Sequence, residues 1–123
     1  MIALHAMTAR ELSDGFASGD VDPRAVVEAC LERVERLNPE LNAIIALDAD
    51  AARRAADAAA TRWFAGTQLS PLDGIPVTIK DNLLAKGFGA TWGSRLYEHF
   101  VPTCDELAVA RLRASGAIVM GKT

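Results

Sequence analysis

The fold is decided by the stretch Ile-Pro-Val-Thr-Ile-Lys at residues 75–80 and by two segments that follow it. This stretch is short and rich in β-branched residues, so it predicts a strand, with Pro76 near the start, where a missing N–H is tolerated. Residues 105–115 predict a helix that Gly116 ends, and residues 117–120 (AIVM) predict a buried second strand. The residues expected to face inward on that helix are Leu107, Ala110 or the stem of Arg111, and Ala114. A strand, a helix and a strand in this order form a βαβ unit, with parallel strands and a right-handed crossover.

The first half of the chain is predicted to be mainly helical. A T-x-x-E capping box that starts at Thr8 predicts where the first helix begins. Asp22-Pro23 has the residue types of an N-cap and a first helical position, and we expect this second helix to end at Asn38-Pro39. A short strand or buried connection is expected at 42–47, followed by an alanine-rich helix at 48–65.

Length, composition and charge restrict the possible classes of protein. The chain has 123 residues, of which 50% are hydrophobic and 24% are charged, as is typical of one soluble globular domain. No apolar run approaches the ~18 residues of a membrane span, and the N-terminus lacks the pattern of a secretory signal. The net charge of −3 argues against a general nucleic-acid binder. Cys30 and Cys104 form no metal-site or disulfide motif, so reduced thiols and a cytoplasmic location are expected.

Lys80 is the strongest candidate for a chemical role. It ends the predicted strand, and in open α/β sheets ligands bind outside the carboxyl ends of the strands. A lysine that neighbouring elements desolvate has a lowered pKa and can act as a base. From its position alone, however, a single lysine is more often a solvated surface charge, and that alternative stays open.

Several blocks of residues after position 70 occur together in a fixed order. They are Pro71-Leu72-Asp73-Gly74-Ile75-Pro76-Val77, Lys80-Asp81-Asn82, Gly93-Ser94, Asp105 opening a helix that reads VARLRASGA, and Gly121-Lys122-Thr123. In these blocks the chain resembles the N-terminal part of the amidase signature family. The resemblance implies an α/β fold, with N-terminal helices and then a βαβ unit that is an incomplete portion of the family's mixed sheet. Residues 1–123 would be the N-terminal portion of an amidase domain, mainly helical over 1–65, with the βαβ unit and the lysine strand in 66–123.

The resemblance also implies an activity, the hydrolysis of carbon–nitrogen bonds in linear amides by a Ser–cis-Ser–Lys triad. Lys80 matches the family's catalytic lysine, a neutral base that deprotonates a bridging serine, which in turn activates the nucleophilic serine. In the family both serines lie downstream, in a Gly/Ser-rich stretch. None of the serines of this sequence lies in such a stretch; they are Ser13, Ser18, Ser70, Ser94 and Ser115. We therefore expect the isolated chain to be inactive, and the full-length enzyme to act on a small-molecule amide without a metal or an organic cofactor.

Three further residues are candidates for supporting the site. Asp81 could orient Lys80, although a hydrogen bond within the loop is an equal alternative, and Asn82 is expected to cap the turn. Ser94 could line a pocket, but helix capping is the better-supported interpretation. Residues 116–123 have the spacing of a phosphate-binding loop, but a predicted strand lies between its two glycines, so nucleotide binding is discounted.

A second class of function stays open, that of a truncated, non-catalytic amidase fragment. The two predicted strands are short and apolar, and the strands of a parallel sheet are normally covered on both faces. One crossover helix and the N-terminal helices would leave part of this sheet uncovered. We therefore expect the chain to associate with another copy, as a homodimer or larger oligomer, or with a protein partner.

Overall fold

The computed structural model describes residues 2–123, which contain both helices and strands. The helices are α1 (Ala9–Ser18), α2 (Pro23–Leu41), α3 (Ala49–Ala65) and α4 (Leu107–Ala114). The strands are β1 (Ala46–Leu47), β2 (Pro76–Ile79) and β3 (Ile118–Lys122). Two short 3-10 helices, η1 and η2, cover Leu4–Ala6 and Arg95–Tyr97. These elements confirm an α/β chain whose first half is mainly helical.

The strands form one sheet in the order β1-β3-β2, with β3 in the centre. β2 and β3 are parallel, with Val77 opposite Val119, and α4 lies between them in the chain. The predicted βαβ unit is therefore confirmed. β1 pairs antiparallel with the carboxyl end of β3, with Ala46 opposite Lys122. Because β1 comes from the helical first half of the chain, the sheet is not confined to residues 66–123.

The starts of α1 and α2 carry the caps that the sequence predicts at Thr8 and Asp22. Thr8 accepts a hydrogen bond from Glu11 N, and the Glu11 carboxylate accepts one from Thr8 N at 2.7 Å. Asp22 and Asp48 accept in a similar way from the first turns of α2 and α3. Gly19 ends α1 with a left-handed φ of 80°. Such caps satisfy backbone groups that have no partner within the helix, so these boundaries follow from local sequence.

Helix α2 runs past the proline that was expected to end it. Pro39 lies in its last turn, and the helix continues to Leu41, so the prediction of an end at Asn38-Pro39 is wrong. A proline inside a helix removes one backbone hydrogen bond. Because Pro39 lies in the last turn of α2, few further hydrogen bonds of the helix can be disturbed. The helix ends at Asn42, which has a φ of 48° and donates its N–H to Asn38 O at 2.7 Å.

Helix α4 is rotated relative to the sequence prediction. Val109 is completely buried, whereas Leu107 is 66% exposed and Ala110 and Ala114 are exposed as well. The helix carries apolar side chains on more than one face, so its own pattern does not determine which face packs. Val109 packs in one cluster with Val119 of β3, and this contact with the sheet sets the rotation of the helix.

Apolar side chains cover both faces of the central strand. On one face, Ile118 and Met120 pack against α2 and α3, where Ala52 and Ala56 allow a close approach. On the other face, Val119 packs with α4 and with the loop that follows β2. Alternate side chains of a strand point to opposite faces, so β3 lies between two apolar layers. This packing fixes β2 beside β3, and the two parallel strands end side by side.

Candidate active site at the end of strand β2

Lys80 is the first residue after β2, and Thr123 holds the backbone on both sides of it. Thr123 N donates to Ile79 O at 2.9 Å, and Asp81 N donates to Thr123 O at 2.8 Å. Parallel pairing therefore continues beyond the last residue of β2, although the strand itself ends one residue earlier than predicted. The backbone of Lys80 has a defined position as a result.

The Lys80 side chain is exposed, as is that of Thr78, whereas Ile79 between them is buried. This alternation is the one expected along a strand. The expected desolvation of Lys80 is not found in the part of the chain that the structure describes. Its side chain leaves the sheet on the side opposite to Ile79, away from the apolar layer that covers that residue.

The carboxylate of Asp81 is hydrogen-bonded within the loop that follows β2. It accepts from Thr91 N at 3.0 Å and from Thr91 Oγ1 at 2.8 Å. Partial burial raises the pKa of Asp81, but the hydrogen bonds from Thr91 and the nearby Lys122 cation outweigh it and hold the pKa below its usual value. Of the two interpretations that the sequence left open for Asp81, the geometry shows the hydrogen bond within the loop.

Ser94 and Asn82 lie near this loop hydrogen bond without taking part in it. Ser94 Oγ accepts from Leu96 N at 3.3 Å and caps η2, as the capping interpretation predicts. Ser94 N donates to Thr91 O at 2.9 Å, which links the serine to the partner of Asp81. Asn82 is exposed in the turn after Lys80, and within the described residues its side chain makes no capping hydrogen bond.

Lys122 is the residue of this region that sequence reasoning missed. Its side chain is completely buried, and its Nζ donates to three backbone carbonyls. Burial lowers the pKa of Lys122, and the carboxylates of Asp81 and Glu106 oppose that shift. The sequence does contain a signal: Lys122 continues the buried apolar run AIVMG, where a charged residue needs a partner.

Asp105 and Glu106 also bind the loop that follows β2. The sequence predicts a helix that begins at Asp105, but α4 begins only at Leu107. Asp105 Oδ1 accepts from Lys86 N at 2.7 Å, and Glu106 Oε2 accepts from Leu84 N at 2.8 Å. These two carboxylates therefore bind backbone N–H groups of the loop after β2.

The described residues lack a metal-ligand cluster, a disulfide and a helix that could span a membrane. Across residues 2–123, no three His, Cys, Asp or Glu side chains come together as a metal site would require. Cys30 and Cys104 are free thiols. No helix of this part of the chain is long and apolar enough to cross a membrane.

Residues 25–123 match the family described as Amidase. The chain belongs to the amidase signature family. The match includes every residue of the candidate site and leaves out α1, which precedes it. The family membership inferred from the blocks between residues 71 and 123 is therefore confirmed.

Two amidase relatives show how much of the family the chain represents. The A subunit of glutamyl-tRNA(Gln) amidotransferase from Anaeromyxobacter sp. (strain K) is 42% identical over 113 residues, which are 92% of this chain and 23% of that relative. The protein of the same name from Nitratidesulfovibrio vulgaris (strain DP4) is 43% identical and aligns with 99% of this chain and 24% of its own length. The chain thus spans about a quarter of the length of these relatives.

Solved amidase structures confirm the α/β fold. The native peptide amidase from Stenotrophomonas maltophilia superimposes with a TM-score of 0.88 at 33% identity, over 96% of this chain and 24% of that one. The peptide amidase PAM in complex with chymostatin superimposes with a TM-score of 0.90 at 32% identity, over 99% of this chain and 25% of that one. The helices and the βαβ unit of this chain therefore form the same arrangement as the corresponding quarter of those enzymes.

Proposed function

We propose that this chain is the lysine-bearing part of an enzyme that hydrolyses linear amides, with Lys80 as its base. The observation that carries the proposal is the position of Lys80, whose side chain is exposed at the carboxyl end of β2 while Thr123 holds its backbone. The carboxyl ends of strands are where open α/β sheets bind their ligands. The amidase family membership agrees with this position.

In the proposed reaction, the neutral amine of Lys80 accepts a proton from a bridging serine. That serine takes the proton of a second serine, whose oxygen attacks the amide carbon. The proton held by Lys80 returns through the bridging serine to the amide nitrogen, the C–N bond breaks, and the amine leaves as the acyl-enzyme forms. Water then attacks the acyl-enzyme and releases the acid. Both serines would be supplied by sequence outside residues 1–123, because none of the serines within it lies in a Gly/Ser-rich loop.

The substrate class is proposed from the chemistry that the similar proteins share in their names. The glutamyl-tRNA(Gln) amidotransferase and the peptide amidase both carry names that refer to amide nitrogen. We therefore propose a primary or secondary carboxamide as the group that is cleaved. Asp81 would contribute by holding Thr91, and with it the loop beside Lys80, in place.

The test compares two lysine variants of the protein encoded by the full open reading frame that contains residues 1–123. Lys80→Ala should lower kcat for a simple amide by at least about a thousandfold, as does loss of a member of other serine-based triads. Lys86→Ala is the matched control, because Lys86 is also exposed and lies in the same loop. Ammonia release by Lys80→Ala at the rate of the control would refute the proposal. The purified 123-residue chain should release no ammonia.

A non-catalytic role is the second candidate, and the exposed apolar surface favours it. Phe64 and Leu96 are 97% and 89% exposed, and β2 is an edge strand. Exposed apolar groups and an unpaired strand edge both favour association. If the open reading frame encodes no Gly/Ser-rich segment with two serines, this binding role replaces the enzymatic one.

A further inference from the structure

We infer that Lys122 is a positioning residue for Lys80, because its buried ammonium group holds the turn that follows Lys80 in one geometry. The inference rests on the proposed function, since it assigns Lys122 a role only if Lys80 is the base. It concerns the backbone around Lys80 and gives Lys122 no contact with substrate.

The contacts of Lys122 match the donors of an ammonium group in number. Its Nζ donates to Asp81 O at 3.0 Å, to Leu83 O at 2.7 Å and to Gly89 O at 3.0 Å. An ammonium group has three N–H donors, whereas a neutral amine has two and would turn a lone pair toward the third carbonyl. The arrangement is therefore built for the charged form of Lys122.

The loop that Lys122 binds depends on side-chain contacts to keep its conformation. Residues 80–94 contain no helix or strand, so few backbone hydrogen bonds of regular structure hold them. Lys122 binds carbonyls at both ends of a loop that runs from Asp81 to Gly89. Asp105 and Glu106 bind N–H groups of the same loop. The loop is thus held by a buried cation on its carbonyls and by two carboxylates on its N–H groups.

The connection from Lys122 to Lys80 is short. Lys122 lies opposite Ile79 in the parallel pairing, and its Nζ reaches the carbonyl of Asp81. The residue before Lys80 is held by Thr123, whose N–H donates to Ile79 O, and the residue after it is held by the Lys122 side chain, so the end of β3 and the residue after it bind the chain on both sides of Lys80. A change in the Lys122 contact would rotate the peptide units next to Lys80 and move its amine.

The kinetic test uses Lys122→Met and Lys86→Met in the protein encoded by the full open reading frame. Active sites are counted by titration with a fluorophosphonate, which reacts with the nucleophilic serine. We expect kcat per titrated site to fall by about a hundredfold in Lys122→Met, the effect of a displacement of about 1 Å, with KM near that of the parent. Lys86→Met should match the parent, because the Lys86 side chain is exposed.

The outcomes separate a positioning role from a structural role. A residue with only a structural role would lower the yield and the thermal midpoint of Lys122→Met while kcat per titrated site stayed at the parent value, and that result would overturn the inference alone. Activity retained in Lys80→Ala would overturn the proposed function, and the inference with it.

A measurement on the unaltered 123-residue chain covers the case in which Lys122→Met does not fold. The chain contains three lysines, and two of them, Lys80 and Lys86, are exposed. After ¹⁵N-lysine labelling, we expect one slowly exchanging side-chain signal with the splitting of an NH₃⁺ group, because burial protects its protons from exchange. The absence of that signal, or the splitting of an NH₂ group, contradicts the inference.

Discussion

At the scale of one residue, Asp73 is a buried charge whose carboxylate oxygens are both hydrogen-bonded. Its side chain is completely buried and accepts from Arg62 Nη2 at 2.6 Å, from Arg62 Nε at 2.7 Å and from Leu69 N at 2.9 Å. Its carbonyl accepts from Trp63 Nε1 at 2.9 Å. One aspartate in a loop therefore fastens the end of α3 to the segment that leads into β2.

We expect Asp73→Asn to destabilise the chain by about 2 kcal/mol, because it removes the charge from a completely buried carboxylate that accepts charge-assisted hydrogen bonds from the partly exposed Arg62. Asp14→Asn is the control, since Asp14 faces Arg10 at 4.0 Å with both side chains exposed. Exposed pairs contribute at most about 1 kcal/mol. Urea unfolding of the two variants measures the difference. Equal midpoints for both would show that the Arg62–Asp73 pair contributes no more than a surface pair.

At the scale of elements, Gly116 decides how α4 turns into β3. It has a φ of 89°, which side chains disfavour, and an added Cβ would lie 2.5 Å from Asp73 Oδ1 and 2.8 Å from Asp73 Cα. Gly74 N also donates to Gly116 O at 3.0 Å. The short turn after α4 therefore requires glycine for its backbone conformation and for the space beside Asp73.

The loss of stability that a side chain at Gly116 would cause has two separable parts, the unfavourable backbone conformation and the close contact with Asp73. Gly87 has the same φ of 89° and nothing within 4 Å of an added Cβ, so Gly87→Ala measures the conformational cost alone. We expect about 1 kcal/mol for Gly87→Ala and a further ~2 kcal/mol for Gly116→Ala, from overpacking. Thermal or urea unfolding provides both values. If the two variants lose the same stability, the contact with Asp73 relaxes without cost.

At the scale of the whole molecule, the sheet has an open side along β2. β2 is an edge strand, and Thr78 at this edge is exposed. A groove beside the strand is lined by apolar side chains of α2 and of the segment that follows it, among them Leu37, Leu41 and Ile44. An unpaired edge next to an apolar groove is a surface on which another strand can pair.

We therefore expect the 123-residue chain to form a two-fold dimer at micromolar concentration through the β2 edge. Thr78→Lys should shift the dimer toward monomer, because lysine on an edge strand opposes pairing. Thr61→Lys is the control, since it places the same charge on the exposed surface of α3. Sedimentation equilibrium compares the two variants. A parent chain that stays a monomer and binds no hydrophobic dye would contradict the expectation.

Features of local origin could be predicted from the sequence. The capping box at Thr8, the caps at Asp22 and Asp48 and the glycine ends of α1 and α3 depend on residues within one turn of each other. The βαβ unit follows from the order of the apolar segments. The position of Lys80 after β2 follows from the length of the apolar segment that begins at Ile75. The other site residues are predicted from the blocks of sequence that resemble the amidase signature family.

Which groups from distant parts of the sequence meet depends on the tertiary structure. β1 joins the far edge of the sheet, α4 turns Val109 inward instead of Leu107, and the carboxylates of Asp105 and Glu106 bind a loop about 20 residues earlier in the chain. The contacts of Lys122 also depend on the tertiary structure, because its three carbonyl partners lie between 33 and 41 residues away in the chain. Most of the elements could be predicted from the sequence because they depend on neighbouring residues, and the family followed from the blocks between residues 71 and 123. The partners of buried charges depend on packing, which brings together residues far apart in the chain.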